Sequence, residues 1–259
     1  MSMVQLHSLD LQDLQNPLHP STFEEYRDYR ILVLRLPEQI GKTSKIHSYG
    51  FILADSSVYY YDRNVNDLIH FAAGLDDLYR FLDEKIDMLM DDIEIVQDKI
   101  VALEENLYRK FSSRFMERWH EMKKELSHSE RIILKAADIL ERFITKSKFS
   151  EHFPINEFND LHEHLERTLR SNVSANDQLD NLYSYYNLRS NDRMNRSIYT
   201  LTVISVIFLP LNLVVGFFGM NTGGLPFENH VMGTFYAFVT MILFAAFLTT
   251  AVLWKIRKE

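Results

Sequence analysis

Two long stretches without a formal charge constrain this chain more than any other feature. From Ser197 to Phe227 there is no Asp, Glu, Lys or Arg, and from His230 to Trp254 there is none again. Crossing the hydrocarbon core as a helix takes roughly 20 apolar residues. Tyr199–Phe218 (YTLTVISVIFLPLNLVVGFF) meets that length and Val231–Trp254 slightly exceeds it. A buried helix of a soluble protein can be as apolar, but two such runs in succession read as a membrane region at 197–259, with spans at about 199–218 and 231–254. Near the start of the chain no basic segment leads into an apolar one, so no cleaved signal is expected.

Flanking charge sets the orientation. Arg189, Arg193 and Arg196 precede the first span, and Lys255, Arg257 and Lys258 follow the second. The connecting loop, GMNTGGLPFENH, carries neither Lys nor Arg. Positive residues stay on the cytoplasmic side, which places both termini and the large preceding region in the cytoplasm.

That region is acidic. Over 259 residues the net charge is −8, and there is no cysteine. The first number argues against a nucleic-acid partner. The second excludes disulfides, thiolate metal sites and a cysteine nucleophile. No GxxxxGK[ST] loop is present, so ATP is not indicated. No nucleophile–base pair or metal-ligand set stands out either, and an enzyme is not expected.

Residues 30–36, 46–54 and 57–62 are short, rich in β-branched and aromatic side chains, and read as strands, with a helix expected to begin within 64–74. Residues 1–74 thus form a small α/β domain. The period then changes. Leu75, Leu78, Leu82, Ile86, Leu89, Ile93, Val96, Ile100, Leu103 and Leu107 recur at steps of three and four, a long coiled-coil-like helix. A second helix is expected over about Phe111–Thr145, open to a bend at Ser127-His128-Ser129. A third begins near Ile155 and meets no Pro or Gly before Pro210. Continued into the first span, it would be roughly 95 Å long at about 1.5 Å per residue. Residues 75–196 form a mainly α domain and stalk. The polar middle of the third helix (Asn172, Ser174, Asn176, Asp177, Asn181) makes a poor zipper and suits a stave of a wet oligomeric funnel.

The acidic face of the first long helix (Asp83, Glu84, Asp87, Asp91, Asp92, Glu94, Asp98) is either a solvated surface or an electrostatic sink for cations. His162-Glu163-His164 invites a metal, but positions i and i+2 point to different sides of a helix, and no HExxH spacing is present.

In the first span, steps of three and four from Asn195 reach Ile198, Thr202, Ser205, Leu209, Asn212 and Gly216, while Thr200 falls off this face. Such a stripe is either a helix–helix contact or one wall of a pore, which would need several copies of the chain.

The first span ends in Gly219-Met220-Asn221. This triplet, set between two C-terminal spans after a long helix and an acidic cytosolic region, resembles the CorA family of divalent-cation transporters. The resemblance covers about 75–259 well and 1–74 by general layout. It implies a funnel-shaped homopentamer in the inner (plasma) membrane of a bacterial-type cell, with lipid and divalent cations as partners and no cofactor. On that pattern Gly219, Met220 and Asn221 form the selectivity motif at the outer mouth, where amide oxygens suit a hydrated Mg²⁺. Asn195 matches a polar ring near the inner face. Ile198, Leu201 and Leu209 match the apolar constriction of a gate, and Thr202, Ser205, Asn212 and Gly216 line the same path. Asp160, lying 35 residues before Asn195, resembles an acidic residue of the family's regulatory metal site, its partner being expected from the small N-terminal domain.

The resemblance implies potential-driven transport of Mg²⁺, with Co²⁺ and Ni²⁺ also carried. The Gly223-Gly224-Leu225-Pro226 run is more similar to the ZntB branch, which points instead to Zn²⁺, with coupling to protons as a variant. Glu228 and His230 stand where they can attract cations at the mouth. A reading from a different class is a membrane-anchored oligomeric scaffold that transports nothing.

Overall fold

The computed structural model describes residues 6–40, 45–54, 57–109, 114–148, 153–220 and 231–256. After a short helix α1 (Ser8–Gln15) come five strands, β1 (Thr22–Glu25), β2 (Arg30–Glu38), β3 (Lys45–Ala54), β4 (Ser57–Asp62) and β5 (Asp67–Phe71). Four helices follow: α2 (Leu75–Arg109), α3 (Phe115–Ser147), α4 (Ile155–Gly219) and α5 (Gly233–Ile256). The strands form an antiparallel meander in sequence order. The chain divides into two compact units, Met1–Ser184 and Tyr185–Glu259, and the division falls inside α4.

Alternation along β2 and β3 covers both faces of the sheet. Ile31, Val33, Ile52 and Ala54 form a core with Leu14 of α1 and Tyr29. Gly50 belongs to this face, and a Cβ there would overlap the Leu14 side chain. The opposite face meets the long helices: Phe81 of α2 lies edge-on to Tyr49 and Phe51, and Phe23 of β1 lies edge-on to Phe143 of α3. Phe143 in turn contacts Phe158 of α4, with ring centroids 5.4 Å apart. One aromatic row therefore ties sheet, α3 and α4 together.

The helix expected within 64–74 is not there; β5 occupies that stretch, with Leu68 opposite Tyr61 and Ile69 opposite Tyr60. Asn66, at φ 56°, turns the chain back after β4, and Tyr61 Oη donates to its side-chain oxygen at 2.6 Å. The helix is delayed to Leu75, where Gly74 adopts φ 60° and the Asp77 carboxylate reaches back from the first turn of α2 to accept from the Ala73 amide at 2.8 Å. β1 and α1 also lie outside the sequence expectation.

In α2 the apolar stripe from Leu78 to Leu107 is buried throughout, as its period requires. α3 is continuous through Ser127-His128-Ser129, where Ser129 Oγ donates back to the Glu125 carbonyl at 2.6 Å. α3 is antiparallel to α4: Trp119 Nε1 donates to the Leu179 carbonyl at 2.8 Å, Asn172 Nδ2 to Ser129 Oγ at 3.3 Å, and Phe143 meets Phe158. The polar middle of α4 therefore has an in-chain partner. Asn172 and Asn176 are buried, with Asn176 Nδ2 donating to Glu130 at 2.7 Å, while Ser174, Asp177 and Asn181 are exposed. For the two buried asparagines, this corrects the expectation of a wet lumen.

Candidate metal centre and membrane helix

In the first unit a metal-binding geometry arises from two helices that pack side by side. Tyr79 of α2 meets Phe158 of α4, and Gln97 Nε2 of α2 donates to the Ser171 carbonyl of α4. On α2, Leu82 and Ile86 are buried, so Asp83 and Asp87, one position further on, flank the seam. On α4, Leu161 and Leu165 are buried, so Asp160 and His164, one position earlier, flank it as well. The result is a cluster in which Asp83, Asp87 and His164 each offer a ligand atom within 4.8 Å of the others. Asp160 stands beside it, its Oδ1 3.8 Å from His164 Nε2.

The electrostatics favour a cation. Burial raises the Asp83 carboxyl above its ordinary value of 3.8, and the charge of Asp87 raises it further; His164 opposes the shift and Asp160 adds to it. The Tyr79 phenol is raised by burial, then by Asp83 and Asp160. His164 Nδ1 is buried without a hydrogen-bond partner among the described residues. Two carboxylate oxygens suit Mg²⁺, which retains most of its waters. One imidazole nitrogen shifts the set toward Co²⁺, Ni²⁺ or Zn²⁺.

Asp160 is thus brought together with His164 on its own helix and with two carboxylates of α2. His164 is hidden as a donor in the sequence because its conspicuous neighbour, His162, points to a different side of the helix. The legible signal was Asp160-x-x-x-His164, which places both groups on one face.

The second unit holds the other predicted residues. Among the described residues, α4 is the one helix long and apolar enough to cross a membrane, and its most apolar window has no buried residue within the chain. α4 continues through Pro210, which lacks the amide hydrogen that would reach the Val206 carbonyl. At about 100° per residue, Asn195, Ile198, Leu201, Thr202, Ser205, Leu209, Asn212 and Gly216 fall within about a third of the helix circumference. Ile198, Leu201 and Leu209 are each more than half exposed in the single chain, and nothing approaches a Cβ position at Gly216. Thr202 Oγ1 donates to the Ile198 carbonyl at 2.9 Å, which leaves its lone pairs as acceptors. Gly219 is the last residue of α4, and the exposed Met220 donates its amide to the Phe217 carbonyl at 3.3 Å. Asn221, Glu228 and His230 lie outside the described residues. α5 has 24 residues, with its described apolar run at Gly233–Leu248.

The chain is 26% identical over 181 residues to the putative metal ion transporter YfjQ of Bacillus subtilis, a match covering 70% of this chain and 56% of that protein. It is 28% identical over 218 residues to the zinc transport protein ZntB of Yersinia enterocolitica, covering 77% of this chain and 61% of the relative. The chain thus spans somewhat over half the length of these two relatives. In fold it is similar to the CorA magnesium transporter of Methanocaldococcus jannaschii, with a TM-score of 0.78 and 17% identity, covering 99% of this chain and 84% of that one. The profile of the family described as CorA-like Mg2+ transporter protein matches residues 75–258, and the chain belongs to that family.

Proposed function

We propose that this chain transports divalent metal cations across the inner membrane of a bacterial-type cell, through an axial pore formed by five copies. The carrying observation is the stripe from Asn195 to Gly216, in which polar, small and apolar side chains share one exposed face of α4, along the part of the helix that is free of charge from Ser197 on. A helix facing lipid all round has no use for Asn212, since an amide in hydrocarbon is costly without a polar partner or water. α4 would line the pore, α5 would be the second span, and both termini would be cytoplasmic. Asn221 would sit at the outer mouth beside Gly219 and Met220, with Glu228 and His230 drawing cations toward it. A divalent cation gains about 4.6 kcal/mol per 100 mV of inside-negative potential, enough for passive uptake without ATP. No step of this reading is catalytic.

Asp83, Asp87, Asp160 and His164 would form a regulatory metal site in the cytosolic unit, sensing the transported ion. Mg²⁺ is the leading substrate. Zn²⁺ is the second reading, supported by the similarity to a zinc transport protein and by the Gly223-Gly224-Leu225-Pro226 loop.

Flux into liposomes tests this. Wild-type protein and Asn221→Ala are reconstituted, and Mg²⁺ and Zn²⁺ uptake is followed with and without an imposed potential. Potential-driven Mg²⁺ uptake that the substitution abolishes, with assembly unchanged, is the expected result. Zn²⁺ uptake that follows a pH gradient would move the protein to the second reading. Well-formed oligomers that pass neither ion would leave a scaffold.

A further inference from the structure

Where β1 begins against α3, a cleft of about 300 Å³ is lined by Pro20, Ser21, Arg35, His128, Arg131 and Lys135, beside Ile132. No carboxylate lines it, although the chain as a whole carries a net charge of −8. His128, Arg131 and Lys135 stand at i, i+3 and i+7 of α3 and so share one face. Among the described residues none of the four basic side chains has an ion-pair partner. Arg35 Nε is buried without a hydrogen-bond partner among the described residues. Arg35 is held by its backbone, whose amide donates to Ser21 Oγ at 2.9 Å. Arg131 Nε donates to the Ser127 carbonyl at 3.3 Å, which steadies the guanidinium and leaves its terminal nitrogens available.

A partly buried guanidinium without an acceptor is unfavourable, and two more cations nearby add repulsion. An anion relieves both. A carboxylate brings one charge and two oxygens. A phosphate group brings a charge of about −1.5 to −2 and three strong acceptors, and it matches the arginine fork. We propose that this cleft binds the phosphate group of a small soluble molecule, with Arg131 as the bidentate donor, Lys135 and His128 completing the shell, and Arg35 adding positive charge at its wall. The assignment is independent of ion transport, because it is read by binding.

Inorganic pyrophosphate is the probe, titrated calorimetrically into full-length protein held in phosphatidylcholine nanodiscs, in buffer free of divalent cations. Arg131→Gln and Lys135→Gln, both at exposed positions, should each weaken binding about tenfold or more, as expected for lost charge-assisted hydrogen bonds. Arg35→Gln should do the same with the melting temperature kept as a check on folding, and Lys124→Gln, outside the cleft on the same helix, should change nothing. Absence of binding to the wild type would overturn the proposal, as would cleft variants that bind equally well or an equal loss in Lys124→Gln. Displacement of pyrophosphate by phosphatidic acid added to the nanodisc would overturn the soluble source in favour of a lipid headgroup.

Discussion

Asp83 of α2 and His164 of α4 bring a carboxylate oxygen and an imidazole nitrogen within 4.8 Å of each other, across a seam that their neighbours Leu82 and Leu165 keep dry. The two residues are far apart in the chain and meet because each flanks a buried stripe. If they hold a cation with Asp87, His164→Ala should weaken Co²⁺ more than Mg²⁺, because nitrogen favours the softer ion. Asp83→Asn should weaken both. Each loss should reach at least about tenfold, the lower range seen when even an outer partner of a metal site is removed. Calorimetry on the full-length protein measures this, with the exposed Asp138→Asn as control.

The same cluster sets a pH dependence. Burial, then Asp87, raises the Asp83 carboxyl above 3.8 in the folded state. A raised carboxyl favours the folded protein fully below its unfolded value, and that contribution is lost as pH rises through the folded value. In metal-free protein, the melting temperature of the wild type relative to Asp83→Asn should therefore rise as pH falls through the raised value toward 3.8. A bound cation reverses the sign by stabilising the carboxylate, so metal-induced stabilisation should shrink over the same window. A difference that is flat with pH in metal-free protein would remove Asp83 from this role.

Asn172 offers a prediction of the opposite kind. It is fully buried, its Nδ2 donates to Ser129 Oγ, and its Oδ1 has no partner among the described residues. Ser129 keeps its bond to the Glu125 carbonyl without it. Asn172→Leu keeps the number and branching of the side-chain heavy atoms and removes the unsatisfied oxygen, at the cost of fitting two bulkier methyl groups, so the protein should gain at most about 1 kcal/mol. Thermal unfolding of the full-length wild type, Asn172→Leu and the smaller Asn172→Ala decides it: a lower melting temperature in both variants would mean that Oδ1 is satisfied, by a water, and a loss in Asn172→Leu alone would mean overpacking.

Periodicity made part of this structure legible and tertiary contact concealed the rest. The α2 stripe from Leu78 to Leu107 could be read directly, because a seam buried along its whole length leaves an uninterrupted three-and-four pattern. The segment 64–74 is ambiguous in sequence, because Leu68, Ile69, Phe71 and two alanines are compatible with a helix. What excludes a helix there is pairing with β4 and the backbone of Asn66 and Gly74. Asp83 and Asp87 could not be separated from the other acids of α2, since their distinction is a neighbour on another helix. Asn172 and Asn176 read as lumen-facing for a related reason, the complementary Ser129 and Glu130 lying on α3.

Thr202 and Thr200 give a matched test of the face assigned to the pore. Both hydroxyls donate to the carbonyl four residues earlier, at 2.9 Å, to Ile198 and Arg196 respectively. Their local geometry is the same, and each keeps lone pairs as acceptors. They differ in direction, since Thr202 lies on the stripe with Asn195, Ser205 and Asn212, and Thr200 lies across the helix from it. Valine replaces threonine with little change in volume and removes the acceptor. If the hydrated cation passes the stripe, Thr202→Val should lower Mg²⁺ flux in liposomes by about fivefold, the worth of one net hydrogen bond of about 1 kcal/mol. Thr200→Val should leave flux unchanged, because its hydroxyl faces lipid or a neighbouring helix. Equal effects from the two would show that the stripe does not line the conducting path, and a larger effect at Thr200 would put the path on the opposite side of α4.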